Sequence, residues 1–169
     1  MKAKLIVEGK EFPIEIQDPE LQKLLTPQKK TGYERVDDEQ IYWVQNMIGG
    51  ICWANESICF TGNNEYYNSA NYYSDDTIAK NNARADNLMR QLRRFAVEHR
   101  KYEIEWTNEQ VCKYYICIRH RTNEVGYHRS YRVQGFNTIY FDTEEAVELA
   151  IKTFYDELVW YFTEYKDSL

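Results

Sequence analysis

The chain has 169 residues, 43 % of them apolar and 15 % aromatic, and its formal net charge is −6 at pH 7. A chain of this length can bury a hydrophobic core without metals or disulfides, and its acidic balance argues against a strongly basic, general nucleic-acid binder. The four cysteines form no C-x-x-C pair, and no apolar signal segment is evident. We therefore expect reduced thiols, a cytoplasmic protein that does not enter a membrane, and neither a metal site nor a cofactor.

The first elements in chain order are a hairpin and a short helix. The stretch "KAKLIVEGKEFPIEI" predicts strands at 3–7 and 12–16 that turn at Gly9, because glycine adopts the backbone of a tight turn at no steric cost. Pro13 lacks an amide donor, which places the second strand at a sheet edge. A helix over residues 18–25 is then predicted from its opening Asp-Pro-Glu.

Residues 26–38 form a polar connector, and a second hairpin follows it. The apolar runs "IYWVQ" and "ICWAN" lie between residues 40 and 60 and predict strands that turn at Gly49-Gly50, with "SICF" as a candidate further strand. The stretch 61–73 is rich in Asn, Ser and Tyr and predicts a loop. A loop of this length is uncommon, so it either contains unrecognised structure or serves a function.

A long amphipathic helix is predicted to begin after the cap residue Ser74. Its apolar side chains recur at helical spacing and form one stripe, which consists of Ile78, Ala85, Leu88, Met89, Leu92, Phe95 and Ala96. Residues 80–101 hold seven Lys or Arg against two carboxylates. Cations are favourable near the carboxyl end of any helix, so solvation and the helix dipole can explain them. Contact with a phosphate or a nucleic acid is the alternative.

Three strands are predicted next, at 110–120, 125–133 and 138–141. Alternation in the first places Tyr114 and Ile116 on one face and Lys113 on the other. Residues 112–134 hold five Lys or Arg against one carboxylate, and arginine and histidine interleave with tyrosine there. This pattern is typical of surfaces that stack bases and pair with phosphates. A solvated hairpin whose charges protect its edges is the alternative.

The last predicted element is a helix over 142–167. "DTEE" resembles a capping box that begins at Asp142, and the buried face of the helix is predicted to consist of Val147, Ala150, Ile151, Phe154, Leu158, Tyr161, Phe162 and Tyr165. Its exposed side is acidic. The sequence thus predicts one α+β domain, in which antiparallel hairpins or sheet pack with two long amphipathic helices. Residues 1–60 and 74–169 are candidate sub-units.

No sequence motif in the chain indicates a particular enzymatic reaction. The glycines do not have the spacing of a phosphate-binding loop, and no G-x-S-x-G elbow is present. His120 and His128 have no local nucleophile and orienting acid beside them. We therefore expect a protein that is not an enzyme.

Three stretches carry a family resemblance. "NYYSDDTIAKNNARADNLMRQLRRFAVEHR" (71–100), "NTIYFDTEEAVELAIKTFYDELVWYFTEYK" (137–166) and the opening "MKAKLIVEGKEFPIEI" resemble small accessory proteins of bacterial phages, prophages and other mobile elements. Together they cover 76 of the 169 residues, a little under half of the chain. The resemblance transfers no catalytic residue. It implies a protein in the cytoplasm of the bacterial host that binds and disables a host defence factor, for which a CRISPR-associated nuclease is a natural target.

The charge layout suggests two alternative binding surfaces. An acidic surface could imitate the phosphate row that a CRISPR nuclease holds in its basic channel, and its candidate residues are Asp37, Asp38, Glu39, Glu144, Glu145, Glu148, Asp156 and Glu157. A basic surface could bind a nucleic acid or a nucleotide, and its candidate residues are Arg90, Arg93, Arg94, Arg121, Arg129 and Arg132. Each of these side chains taken singly is most simply a solvated residue. A continuous acidic surface would support the first alternative, and a continuous basic surface would support the second. Ion pairs that neutralise these charges one by one would support neither.

Overall fold

The structure is a computed structural model that describes residues 2–7, 10–21, 30–57 and 61–165. It has the expected α+β architecture. Its strands are β1 (Lys2–Val7), β2 (Lys10–Glu15), β3 (Ile41–Gln45), β4 (Ile51–Asn55), β5 (Lys113–Arg119), β6 (Glu124–Ser130) and β7 (Tyr140–Phe141). Its helices are α1 (Thr61–Asn68), α2 (Asp76–Glu98), α3 (Glu144–Thr153) and α4 (Tyr155–Trp160), followed by a π-helical turn (Tyr161–Tyr165). In the described part of the chain, no helix combines the length and the hydropathy that a membrane crossing needs.

The strands form antiparallel units. β1 pairs with β2 and β3 with β4 as two-stranded hairpins, and a three-stranded sheet has the order β6-β5-β7. The first hairpin pairs Lys4 with Pro13. Its predicted turn lies outside the described residues, as do most of "SICF" and the end of the predicted helix at 18–25. The start of that helix is described, and the Asp18 carboxylate accepts a hydrogen bond of 2.8 Å from the backbone N of Glu20.

The predicted loop over 61–73 is wrong in its first part, because α1 occupies residues 61–68. The polar composition gives little helical signal of its own. A buried side chain within α1 holds this helix against the rest of the protein. Asn63 is fully buried, accepts a hydrogen bond from the Tyr42 hydroxyl at 2.7 Å and donates one to Glu56 at 3.2 Å. Tertiary contacts therefore stabilise a helix that the local sequence does not specify.

Both predicted helix caps are displaced by one residue. Asp75, not Ser74, caps α2, and its Oδ1 accepts from the backbone N of Thr77 at 2.8 Å and of Ile78 at 3.0 Å. Ser74 donates its hydroxyl proton to Glu34 instead. Likewise Thr143, not Asp142, caps α3. The Asp142 carboxylate accepts from the backbone N of Lys101 and of Tyr102, both at 2.7 Å, and so ties the chain beyond α2 to the start of α3.

The main core lies where α2, α3 and α4 meet one face of the β5 sheet. Its buried side chains are Leu88, Leu92, Phe95, Ala96, Phe141, Ala146, Val147, Ala150 and Leu158, with Tyr114 and Ile116 packed against them from the sheet. The last helix is not continuous, since α3 ends at Thr153 and α4 begins at Tyr155. Between them, the Phe154 ring packs edge-on against Phe95 with centroids 5.5 Å apart. A second, smaller core lies under the β3–β4 hairpin.

Candidate functional site

The β3–β4 hairpin exposes an apolar surface. Side chains alternate along its strands, so Tyr42 and Val44 face inward and are 0 % and 7 % exposed. The opposite face and the turn carry Ile41, Trp43, Met47, Ile48, Ile51 and Trp53, which we call the apolar hairpin face. Trp53 is 63 % exposed, and Met47 at the turn is entirely exposed. Because residues 40–55 include no charged side chain, nothing on the hairpin itself offsets this apolar surface.

The turn of the hairpin depends on a glycine. Gly49 has a φ of +88°, in the left-handed region that other residues rarely adopt. A Cβ at Gly49 would also stand 2.8 Å from the guanidinium Nη2 of Arg90 on α2. The side chain of Arg90, one of the predicted basic-surface residues, therefore packs against this turn. Glycine thus permits both the turn and its close approach to α2.

The two edges of the hairpin differ. On β3, Trp43 exchanges two backbone hydrogen bonds with Tyr73, of 2.8 and 2.9 Å, and the Asn71 side chain bonds both backbone groups of Gln45. The register places the equivalent outward-facing backbone groups of β4 on Ile51, Trp53 and Asn55. No described residue forms a hydrogen bond with these groups. Within the described part of the chain, β4 is therefore an edge strand, and it has no charged residue or proline of the kind that usually protects such edges.

Three carboxylates stand at the base of this hairpin. Asp37, Asp38 and Glu39, which we call the acidic turn, directly precede β3 and are all exposed. The turn is closed by a hydrogen bond from the backbone N of Gln40 to the Asp37 carbonyl, at 3.1 Å. Glu39 has a φ of 66°, and its backbone N donates to the Glu56 carbonyl at 2.9 Å. None of the three carboxylates forms an ion pair with a described residue, so their charge faces solvent.

A buried carboxylate fixes the hairpin from below. Glu56 is 6 % exposed and accepts hydrogen bonds from Arg35 at 2.6 Å, from the Tyr72 hydroxyl at 2.6 Å and from Asn63. Burial alone would raise the pKa of Glu56, but the hydrogen bonds from Arg35 and Tyr72 and the charge of Arg35 together hold it below its ordinary value. Burial, followed by the bond to Glu56, raises the pKa of Tyr72 well above its ordinary value. The carboxylate thus stays charged and holds the hairpin to α1.

The acidic candidates on the last helix are only partly available. Glu144 pairs with Arg129 at 2.8 Å and also accepts from the Tyr127 hydroxyl. Glu157 pairs with Arg84 at 2.8 Å. Of the remaining candidates, Glu148 lies 3.5 Å from the Tyr127 hydroxyl, and both Glu145 and Asp156 are exposed. Cations therefore interrupt the acidic side of the helix.

The basic candidates are interrupted in the same way. Arg129 is paired with Glu144, Arg132 lies 2.9 Å from Glu109, and Arg94 lies 3.7 Å from Glu98. Arg93 donates to the neutral amide of Asn137 at 3.2 Å. Only Arg90 and Arg121 of the six candidates have neither an ion pair nor a side-chain hydrogen bond with a described residue. Opposite charges thus neutralise each other over much of this surface, which weakens the reading of one extended basic patch.

Comparisons with protein-family models, with curated proteins and with solved structures found no match to the chain. The resemblance to phage accessory proteins stays a prediction. Sequence reasoning identified the acidic turn but missed the apolar hairpin face beside it. Two signals could have found that face: the absence of charge over residues 40–55, and apolar side chains on both alternating faces of each strand.

Proposed function

We propose that this protein is a non-enzymatic inhibitor that docks on a host defence protein, namely a CRISPR-associated nuclease, through the apolar hairpin face and the acidic turn. The observation that carries the docking site is the 63 % exposure of Trp53 on an uncharged hairpin with an open edge. Contiguous exposed apolar surface rimmed by polar groups is typical of protein-interaction sites. The class of target comes from the sequence resemblance and from the charge of the acidic turn.

The hairpin offers two kinds of contact to such a partner. Trp53 is a large, rigid side chain of the type that dominates binding energy when it enters a pocket. The outward-facing backbone groups of β4 can hydrogen-bond an extended segment of the partner, as in β-strand addition. Both contacts require a partner surface that is mostly apolar and has an exposed strand or loop.

The acidic turn adds charge complementarity. Its three carboxylates, which form no ion pair with a described residue, stand close to Ile41 in the chain at one end of the apolar hairpin face. Negative groups at the rim of an interface speed encounter with a basic surface and exclude acidic ones. A nuclease channel that holds nucleic acid is such a basic surface. The acidic turn is a better candidate for this contact than Glu144 and Glu157, whose charges are offset by arginines.

The test is a DNA-cleavage and binding assay with a panel of purified, guide-loaded CRISPR nucleases. Trp53→Glu should weaken inhibition by roughly 30-fold, the loss expected for a central anchor residue. Tyr155→Glu is its matched control, because Tyr155 is an aromatic residue on α4 that is 49 % exposed. It should leave inhibition nearly unchanged.

The acidic turn is tested by charge reversal. Changing Asp37, Asp38 and Glu39 to Lys should weaken binding, and the weakening should shrink at high salt. Changing Glu145, Glu148 and Asp156 to Lys alters the net charge equally and should have a much smaller effect. Failure to inhibit any nuclease would overturn the proposed target. Full inhibition by both Trp53→Glu and the acidic-turn variant would overturn the proposed docking site.

A further inference from the structure

A concave site lies beyond the hairpin turn, toward the carboxyl end of α2. It is a cleft of about 440 Å³ between the carboxyl-terminal part of α2 and the segments around residues 104–106 and 134–140. Clefts of this size are typical of small-molecule sites. The proposed docking function does not involve this cleft.

The cleft is positively charged although the protein is acidic. Arg93, on α2, and Arg100, two residues beyond the last residue of α2, both line it. Among the described residues, no carboxylate lines the cleft. Arg93 bonds only the neutral amide of Asn137, and Arg100 forms no ion pair with a described residue. Two guanidinium groups thus face the cleft without neutralisation.

A buried ammonium group adds positive charge beside the cleft. Lys113 is 1 % exposed, and its Nζ lies 5.2 Å from the ring centroid of Trp106, which forms one wall of the cleft. Its Nζ donates to the backbone carbonyls of Asn108 at 2.8 Å and of Tyr131 at 3.4 Å. No carboxylate among the described residues pairs with it. A buried charge without a counter-ion is costly, and an anion bound in the adjacent cleft would reduce that cost.

The remaining walls suit an aromatic ring. The Trp106 indole is half-buried and packs edge-on against Tyr140, with centroids 4.8 Å apart and planes at 82°. Ile104 adds apolar surface beside it. The amides of Gln134 and Asn137 also line the cleft and provide donors and acceptors for the edge of a base. Stacking on an indole and charge-assisted bonds from arginine are together the chemistry that recognises a base and its phosphate.

We propose that this cleft binds a nucleoside phosphate, with the base against Trp106 and the phosphate between Arg93 and Arg100. Inorganic phosphate would use only the arginines, and a neutral nucleoside would use only the aromatic and amide walls. Each fragment should therefore bind more weakly than the intact nucleotide. The bound group could be a free mononucleotide or the end of a single strand, which present the same chemistry.

Isothermal titration calorimetry at low salt tests the proposal, with the ribonucleoside monophosphates, adenosine, inorganic phosphate and a short single-stranded oligonucleotide as probes. At least one monophosphate should bind with a Kd below about 1 mM, and adenosine and phosphate should each bind about tenfold more weakly. Arg93→Gln and Arg100→Gln should each weaken nucleotide binding about tenfold or more, because each removes a charge-assisted hydrogen bond. Both side chains are exposed, so folding should be preserved.

Arg121→Gln is the matched control, because Arg121 is an exposed arginine outside the cleft that forms no ion pair with a described residue. An equal loss in Arg121→Gln would show non-specific charge attraction and overturn the proposal. So would the absence of binding by every nucleotide, or binding that Arg93→Gln and Arg100→Gln leave unchanged. If the oligonucleotide binds more tightly than the mononucleotide, and its binding also depends on Arg93, the group that the cleft binds is the end of a single strand. Equal affinities identify the free nucleotide.

Discussion

Tyr42 and Tyr72 stack nearly parallel, with ring centroids 4.1 Å apart and planes 12° from each other, and both are almost completely buried. The stack joins β3 to the segment that follows α1. Each hydroxyl also has a buried partner, Asn63 for Tyr42 and Glu56 for Tyr72. The inner face of the hairpin is therefore fixed by specific contacts, which leaves only its outer face available for a partner.

Removal of the Tyr72 hydroxyl should destabilise the fold. This hydroxyl donates to Glu56 and accepts from the backbone N of Val36 at 3.1 Å, so Tyr72→Phe leaves the buried Glu56 carboxylate and the half-buried Val36 amide each short of a partner. We expect a loss of about 1–3 kcal/mol in the free energy of unfolding, measured by urea titration. Tyr102→Phe is the control, since Tyr102 is 67 % exposed, and its cost should stay within about 0.5 kcal/mol. Equal losses in the two variants would contradict this role for the hydroxyl.

Acid should destabilise the protein partly through Glu56. Its pKa is lower in the folded protein than its ordinary value of 4.5, so the unfolded chain binds protons first as the pH falls. The stabilisation is complete above about pH 5 and is lost as the pH falls through the folded pKa. Thermal unfolding followed by circular dichroism should show a smaller loss of Tm between neutral and acid pH for Glu56→Gln than for the wild type.

Some acid sensitivity should remain in that variant. Hydrogen bonds from the backbone and hydroxyl of Thr31, helped by the backbone of Gly32, lower the pKa of Glu34 to about 2. The contribution of Glu34 to stability is also complete above the ordinary pKa and is lost as the pH falls toward the folded pKa of about 2. Glu65→Gln, at an exposed position on α1, is the control and should keep the wild-type profile. A Glu56→Gln profile parallel to that of the wild type would count against the assignment.

Arg84 should couple α2 to α4. Its guanidinium lies 2.8 Å from the Glu157 carboxylate and 3.9 Å from the ring centroid of Trp160. An exposed ion pair contributes at most about 1 kcal/mol and a cation–π contact about 0.5–1 kcal/mol, so Arg84→Ala should cost about 1–2 kcal/mol. A double-mutant cycle with Glu157→Ala should give a coupling of about 0.5 kcal/mol or more that falls with added salt.

The pair Arg94–Glu98 provides a comparison within the same helix. Its atoms are 3.7 Å apart, and both side chains are more than half exposed. The same double-mutant cycle should give a coupling of about 0.3 kcal/mol or less. A coupling at Arg94–Glu98 as large as that at Arg84–Glu157 would show that helix position, rather than the contact with α4, sets the energy.

Substitution by glycine should be tolerated at Glu39 but should destabilise the fold at the neighbouring Asp38. Glu39 has a φ of 66°, where a side chain with a Cβ costs about 1 kcal/mol and glycine has no such penalty. Glu39→Gly should therefore leave the free energy of unfolding unchanged or raise it slightly, despite the greater entropy of the unfolded chain. Asp38→Gly gains no such relief and should lose about 0.5–1 kcal/mol. Urea titrations of both variants decide this, and a larger loss at Glu39 would contradict it.

Elements with a strong local pattern were predictable from the sequence. The strands of both hairpins and the stripe of α2 follow from alternation and helical spacing, which are properties of neighbouring residues. The helix caps were harder to predict. Ser74 and Asp75 both carry a side-chain hydrogen-bond acceptor, and only the path of the chain decides which one meets the first backbone amides of α2. α1 was missed because Asn63 is held by partners distant in sequence.

The sequence by itself determined the α+β class, the hairpins and the clustering of charge along the chain. Tertiary structure decided which of those charges meet. Arg84 and Glu157 are 73 positions apart, yet the packing of α2 against α4 brings them into contact. It also decided that Lys113 is buried and that Trp53 is not, although both lie on strands with similar alternation. The physical reason is that periodicity fixes which residues share a face, whereas burial depends on what the rest of the chain places over that face.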